Sequence, residues 1–204
     1  MKNSAICMTK RGANCILVDK RKKNHPRPCR KTHAERKTHT MISKKMADAI
    51  NAQINREFFS AFLYLAMAHD AYDKGFNGTG KWMTLQFKEE QEHAFKFAKY
   101  LQDQGAKVEL SAMPAPKLKW PSILAMFEDA LEHEKKVTGW INDLNTLAIS
   151  EKDYATQSML RWFIDEQVEE EASCMEVINA LEMSAKSPSA TYMVDRQIGM
   201  REED

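Results

Sequence analysis

Glu90 and His93 lie three residues apart in the segment QFKEEQEHAFKF, residues 86–97, whose composition favours a helix. On a helix this spacing places both side chains on one face, about one turn apart. A carboxylate and an imidazole at that separation can bind one metal ion between them, or they can form an ordinary surface pair. The choice depends on whether they face the core, and on which other residues the chain brings to meet them.

The composition of the 204-residue chain is that of a helical protein, with only seven glycines and six prolines. Its length suits one domain with a sizeable core. No apolar run approaches the roughly 18 residues needed to span a bilayer, and the run CILV is shorter than the apolar part of a signal peptide, about 7 residues or more. We therefore expect a soluble, cytoplasmic protein without a membrane partner. Three of the four cysteines lie in the first 40 residues and Cys174 lies alone, which does not indicate a disulfide framework.

Residues 1–40 differ in composition from the rest of the chain. They contain about 12 of the 30 Lys and Arg but only about 2 of the 29 Asp and Glu, so residues 41–204 carry a net charge of about −9. An acidic body argues against nucleic-acid binding by the folded domain. For the leader itself we predict disorder, because it shows no helical or strand periodicity.

Three interpretations of this leader remain open. It can be irrelevant to the fold, with Met41 as the initiator of a domain spanning 41–204 and Ser43 as the first N-cap. It can be a basic arm that binds nucleic acid or directs targeting. A zinc site built from Cys29, His33 and His39 with Cys7 or Cys15 is the third interpretation, although the spacing matches no tight zinc pattern.

Four long helices are predicted after Met41 from apolar residues that recur every three or four positions. They cover roughly residues 43–72 and 80–104, and two more begin near residues 121 and 153; a short fifth helix begins at Pro188. Short connections make the first and second helices, and the third and fourth, antiparallel pairs. The link between the second and third helices has about 16 residues and can reach roughly 50 Å, enough to cross a bundle. We predict an all-α four-helix bundle with a long crossover.

Each predicted helix carries polar residues in the middle of its inward face. At 1.5 Å per residue, these positions fall at one level of the bundle, within about a turn. They are Glu57 on the first helix, Glu90 and His93 on the second, Glu134 on the third, and Gln167 and Glu170 on the fourth. Buried carboxylates cost several kcal/mol each without compensation, and no Lys or Arg lies on these faces at that height. A pair of divalent cations would neutralise them, and oxygen ligands with one His favour iron or manganese.

Two further features lie close to this level. Tyr64 is two turns from Glu57 on the same face, either as a core tyrosine bonded to a carboxylate or as a redox-active phenol. In the run DEQVEEE, Glu166, Glu169 and Glu170 fall at positions where like charges destabilise a helix. A solvated surface could absorb that cost, or a further cation could lie between these three residues and Glu89.

The chain from Met41 onward resembles bacterial non-haem ferritin, in the ferritin-like di-iron family. The resemblance covers about four-fifths of the chain, and the segments that carry it are INREFFSAFLYLAM, FKEEQEHAFKFAKYL, EHEKKV and RWFIDEQVEEE. The resemblance implies a shell of 24 subunits that oxidises Fe(II) with O2 or H2O2 and stores Fe(III) as a ferric oxyhydroxide. It further implies that Glu57, Glu90, His93 and Glu134 bind the first two irons, with Gln167 and Glu170 completing the second. Glu89, Glu166, Glu169 and Glu170 then form a third iron site, and Tyr64 supplies an electron.

The chain differs from two neighbouring families, bacterioferritin and rubrerythrin, at residues that define them. Bacterioferritin and rubrerythrin have a second Glu-x-x-His motif where this chain has Gln167-x-x-Glu170. Gln91 replaces the methionine that binds haem in bacterioferritin, so we expect iron and no haem. The basic leader is not part of the ferritin pattern.

Two rival functions remain open from the sequence. One is a different di-iron carboxylate oxidase or peroxidase without storage, which would need a substrate site. The other is a non-catalytic helical bundle that assembles or binds a partner and has a solvated acidic centre.

Overall fold

The computed structural model describes residues 41–202, which form five α-helices and no strand. The helices are α1 (Lys44–Asp73), α2 (Asn77–Asp103), α3 (Ile123–Glu151), α4 (Tyr154–Ser184) and α5 (Pro188–Ile198). This confirms the predicted all-α class and the short fifth helix. All three interpretations of the leader, residues 1–40, lie outside the described residues. Over the described part of the chain, no helix combines the length and apolar character that crossing a membrane would require.

The helix starts follow from local sequence signals. Ser43 accepts a hydrogen bond from the backbone nitrogen of the third residue after it, at 3.0 Å, as predicted for an N-cap. Ser122, Asp153 and Ser187 cap α3, α4 and α5 in the same way. α3 begins at Ile123, two residues after the predicted start near Pro121, because the Ser122 cap places the first helical residue after it.

The link between α2 and α3 runs along α1. Asn51 Nδ2 donates to the carbonyl of Lys107 at 3.0 Å, and Asn55 Nδ2 donates to that of Glu109 at 3.0 Å. Near the other end of α1, Asp70 accepts from the backbone nitrogen of Trp120 at 3.0 Å. A link held at both ends of α1 crosses the bundle lengthwise, which is the crossover predicted from its length.

The core consists of two apolar clusters separated by a polar layer. One contains parts of all four long helices near the α1–α2 turn, such as Met67, Met83 and Phe127. The other contains parts of the same helices near the opposite end, such as Ile54 and Phe97. In each of the four long helices, the ligand residues predicted at this level fall between the segments that supply the two clusters. The polar layer is therefore closed above and below by apolar packing.

The start of α2 differs from the prediction because it is fixed by a distant residue. The sequence predicts a start at Gly80, whereas α2 begins at Asn77. The buried carboxylate of Asp195, on α5, accepts from the backbone nitrogens of Gly78 at 3.0 Å and Thr79 at 2.7 Å, and from the Thr79 hydroxyl at 2.8 Å. A carboxylate at a helix N-terminus stabilises the exposed N–H groups there. Gly78 is required at this contact, since a Cβ would lie 1.7 Å from the Asp195 carbonyl oxygen.

Replacing Asp195 by alanine is expected to destabilise the fold and loosen α5. The change leaves three buried donors at the start of α2 without an acceptor, which costs roughly 2–4 kcal/mol. Chemical denaturation measures the loss, and hydrogen exchange over residues 77–80 and 188–198 locates it. The control is Asp73→Ala, an exposed aspartate at the end of α1, which should change stability by less than about 0.5 kcal/mol. Equal stability and exchange in the two variants would contradict the capping role of Asp195.

Candidate metal centre

The polar layer contains ligand-type side chains from all four long helices. Glu57, Glu134 and Glu90 are at most 1% exposed, and the other predicted ligands at this level, His93, Gln167 and Glu170, are at most 5% exposed. The other buried carboxylates of the described residues, Asp70 and Asp195, accept hydrogen bonds elsewhere in the fold. Burial of four acidic side chains at one level requires protons or cations to neutralise them.

Three of the predicted ligands form a tight set, which we call the inner group. One ligand atom from each of Glu57, Glu90 and His93 lies within 4.8 Å of the other two. Nδ1 of His93 is 3.6 Å from Oε2 of Glu90, too far for a good hydrogen bond. Among the described residues, Glu57 Oε2 and Glu90 Oε2 are buried without any hydrogen-bond partner. Unpartnered buried carboxylate oxygens are costly, and a cation between them would supply the missing partner.

A second set, the groove group, contains His93, Glu166 and Glu170, with one ligand atom from each within 4.8 Å of the others. It borders a groove of about 1040 Å³ between α2 and α4. Acidic residues on the groove wall include Glu89, Glu92 and Glu169. Cations can therefore approach the buried layer from this side.

Glu134 lies outside both groups but is held beside them. The Tyr64 hydroxyl donates a short hydrogen bond to Glu134 Oε1, and Gln167 Nε2 donates to Glu134 Oε2 at 3.3 Å. Tyr64 is fully buried. The contact keeps both interpretations of Tyr64 open, since a phenol bonded to a carboxylate can be structural or redox-active.

Two of the residues predicted for a third cation lie outside both groups. Glu169 is exposed on α4. Glu89 forms an ion pair with Arg201, at 2.8 and 2.9 Å. The four helix faces carry no Lys or Arg at this level, as predicted, but Arg201 reaches it from beyond the end of α5.

The pKa values of the carboxyls reflect their burial and mutual repulsion. Desolvation raises the pKa of Glu57 to about 7, assisted by the charge of Glu134. It raises the pKa of Glu134 to about 6. Desolvation, with repulsion from Glu134, raises the pKa values of Glu90 and Glu170 well above the ordinary range. Without metal, the layer therefore retains protons that a cation would displace.

Burial has the opposite effect on the imidazole. It lowers the pKa of His93 to about 4, with a smaller contribution from Lys96. His93 is therefore neutral at physiological pH and has a lone pair available for a metal. Its ring packs edge-on against Trp162 and Phe163, with centroids 5.4 and 5.9 Å away, which fixes its orientation.

Several buried polar residues around the candidate ligands were not predicted. Gln53 Nε2 donates to Glu57 Oε1 at 2.8 Å, and Gln86 Nε2 donates to Glu170 Oε2 at 2.7 Å. His133 shares a 2.7 Å hydrogen bond with Ser60 across α1 and α3. Gln53 has a sequence signal, because it precedes Glu57 by four residues on the same helix face.

Comparison with known proteins agrees with this architecture. A family model for the ferritin-like domain matches residues 47–184. The chain is 40% identical over 161 residues to a bacterial non-haem ferritin of Staphylococcus aureus, covering 79% of this chain and 97% of that protein. It is also 40% identical over 164 residues to a bacterial non-haem ferritin of Staphylococcus saprophyticus, covering 80% and 98%. An open-pore ferritin from the hyperthermophilic archaeon Archaeoglobus fulgidus superposes with a TM-score of 0.78 at 40% identity, covering 79% of this chain and 99% of that one.

Proposed function

The chain belongs to the ferritin family, whose members store iron, and we propose that it oxidises Fe(II) to Fe(III) at the polar layer before storing it. The observation that carries the proposal is the pair of buried oxygens without partners, Glu57 Oε2 and Glu90 Oε2, beside the neutral imidazole of His93. Hard oxygen ligands with one nitrogen suit iron. The domain that performs this function is residues 41–204, within which the family match falls.

The ligands are assigned to two neighbouring iron positions. Glu57, Glu90 and His93 of the inner group hold the first Fe(II). Glu134, Gln167 and Glu170 hold the second, with Glu90 between the two positions. Gln167 offers a neutral amide oxygen where a carboxylate would bind more tightly, so the second iron exchanges more readily. Glu89, Glu166, Glu169 and Glu170 provide a third, weaker position on the groove side.

Oxidation at such a site takes two electrons from two ions together. Each Fe(II) gives one electron, so the pair reduces O2 and two protons to H2O2, or H2O2 and two protons to water. The carboxylates favour the Fe(III) product because they balance its higher charge. One electron from Tyr64 and one from an Fe(II) at the third position would together reduce H2O2 and two protons to water, and the Tyr64 hydroxyl proton would pass to Glu134, to which it is hydrogen-bonded.

Storage requires an enclosed assembly, and we propose a shell of 24 subunits in the cytoplasm that holds a ferric oxyhydroxide mineral. Closed point-group symmetry is the usual form of soluble homo-oligomers. Ile149 and Tyr154, two exposed apolar side chains that flank the α3–α4 turn, are candidate contacts between subunits.

Aerobic loading with Fe(II), followed by size-exclusion chromatography and an iron assay, tests the function. Twenty-four copies of a 23.5 kDa chain form a particle of about half a megadalton. Iron should elute with that particle in large excess over the number of binding sites. A much smaller species holding only stoichiometric iron would contradict storage and would favour a di-iron oxidase that does not store.

A further inference from the structure

The residues after α5 fold back onto α2. The backbone nitrogen of Gly199 donates to the Asp195 carbonyl at 3.1 Å, and Lys81 Nζ donates to the Gly199 carbonyl at 3.0 Å. The backbone nitrogen of Arg201 donates to the Ile198 carbonyl at 3.3 Å. These bonds direct the Arg201 side chain towards the groove side of the polar layer.

The guanidinium group of Arg201 is held by three side chains of α2. Nη2 donates to both carboxylate oxygens of Glu89, at 2.8 and 2.9 Å. Nη1 donates a short hydrogen bond to Gln86 Oε1. The guanidinium carbon lies 5.2 Å from the ring centroid of Trp82. One planar guanidinium donates to Glu89 and Gln86 through different nitrogens while its carbon lies over an aromatic ring, an arrangement that favours Arg over Lys.

Gln86 extends the effect of Arg201 to Glu170. A guanidinium can only donate, so the Gln86 atom facing Arg201 is the carbonyl oxygen. The amide nitrogen of Gln86 is then directed at Glu170 Oε2, at 2.7 Å. One guanidinium thus neutralises Glu89 directly and orients the donor that holds Glu170, a member of the groove group.

We propose that Arg201 is a built-in counter-ion that competes with a divalent cation for Glu89 and Glu170. A cation bound between these two carboxylates would face the positive guanidinium at close range, so the guanidinium must leave for tight binding. Arg201 therefore limits the subunit to two tightly held cations in the inner layer and keeps the third position weak. The inference rests on the proposed iron centre and adds to it a residue that sets the number of bound ions.

Anaerobic titration of the metal-free protein with Fe(II), followed by calorimetry, tests this role without any catalytic readout. The parent should bind two equivalents tightly and a third more weakly. In Arg201→Gln, the dissociation constant of the third Fe(II) should fall by about 10-fold or more, within the usual range of coupling between sites. Arg201→Lys keeps the positive charge but loses the planar group that contacts both Glu89 and Gln86. Its affinity for the third Fe(II) should lie between those of the parent and Arg201→Gln. The double variant Arg201→Gln, Glu89→Gln should lose this gain in affinity for the third Fe(II).

Arg196→Gln is the matched control, since it removes the same charge from an exposed position in the last turn of α5. It should leave the third step unchanged. The role of Arg201 would be overturned if Arg201→Gln bound the first two Fe(II) ions as the parent does but showed no change in affinity for the third. It would also be overturned if Arg196→Gln raised the affinity for the third Fe(II) equally. Loss of the first two steps in the parent itself would overturn the proposed iron centre, and the two failures are thereby distinguished.

Discussion

Replacing Glu57 or Glu134 by alanine is expected to slow the rapid oxidation of Fe(II) by at least about 100-fold, because loss of a direct ligand should cost more than loss of a residue that only orients one. Each variant leaves one iron position without an anionic ligand, so the two ions no longer deliver their electrons together. Glu57 belongs to the inner group, and Glu134 is fixed by Tyr64 and Gln167. Stopped-flow absorbance after mixing metal-free protein with Fe(II) and O2 measures the rate.

The same variants should still assemble, since both carboxylates lie inside the subunit and removing one relieves repulsion. Glu132→Ala is the matched control for Glu134→Ala. Glu132 lies two residues away on α3, its side chain is 67% exposed, and it pairs with Lys136 at 2.7 Å. This control should oxidise iron at the parent rate. Parent rates in both Glu57→Ala and Glu134→Ala, with unchanged particle size, would show that oxidation occurs elsewhere.

The height of the candidate ligands along the bundle was predictable, because it depends on features that are local in the sequence. Helical periodicity and side-chain caps such as Ser43 fix the starts of most helices, and the rise per residue then fixes the height of Glu57 and Glu134. Each helix has its own apolar pattern, so the errors in the predicted helix starts were at most three residues. The sequence predicts polar residues meeting at mid-height, and the structure adds that an apolar cluster lies on each side of them.

The features that were not predicted depend on contacts between distant parts of the chain. Asp195 sets the start of α2 from more than 100 residues away. Arg201 follows the last helix and has no periodic pattern that would point it at Glu89. His133 is next to Glu134 in sequence, yet its bond to Ser60 follows only from the packing of α1 against α3. Helical patterns predict which faces are buried, but they do not predict which polar partners meet there.

In the metal-free protein, Glu57→Gln is expected to stabilise the fold at pH 8 and to have little effect near pH 4.5. In the unfolded chain the Glu57 carboxyl ionises near pH 4.5, whereas burial raises its pKa to about 7 in the folded protein. Below pH 4.5 both states hold the proton, so the group does not affect stability. As the pH rises from 4.5 to 7, the unfolded state ionises first and the folded state loses stability, and the loss is complete above pH 7.

Glutamine keeps the shape of Glu57 but cannot ionise. Its amide oxygen can still accept the bond from Gln53, and its amide nitrogen can donate to the Glu90 carboxyl, with which the Glu57 side chain interacts. The stability difference between variant and parent should therefore grow between pH 4.5 and 7, to on the order of 2–3 kcal/mol per subunit. His93 and His133, whose pKa values burial lowers to about 4, make both proteins less stable in acid, and comparing variant with parent largely removes their contribution.

A divalent cation should reverse this order, because the charge that destabilises the empty site is the charge that binds metal. At a concentration 100 times its dissociation constant, a bound ion stabilises the folded state by about 2.7 kcal/mol per site. Zn(II), which is not oxidised, should stabilise the parent by this amount and should stabilise Glu57→Gln less. Thermal unfolding at matched subunit concentration, in chelator and in Zn(II), measures both effects. The exposed Glu132→Gln serves as the control and should follow the parent in both. A Glu57→Gln protein that was less stable than the parent in chelator at every pH would show that Glu57 is not held in a site built for a cation.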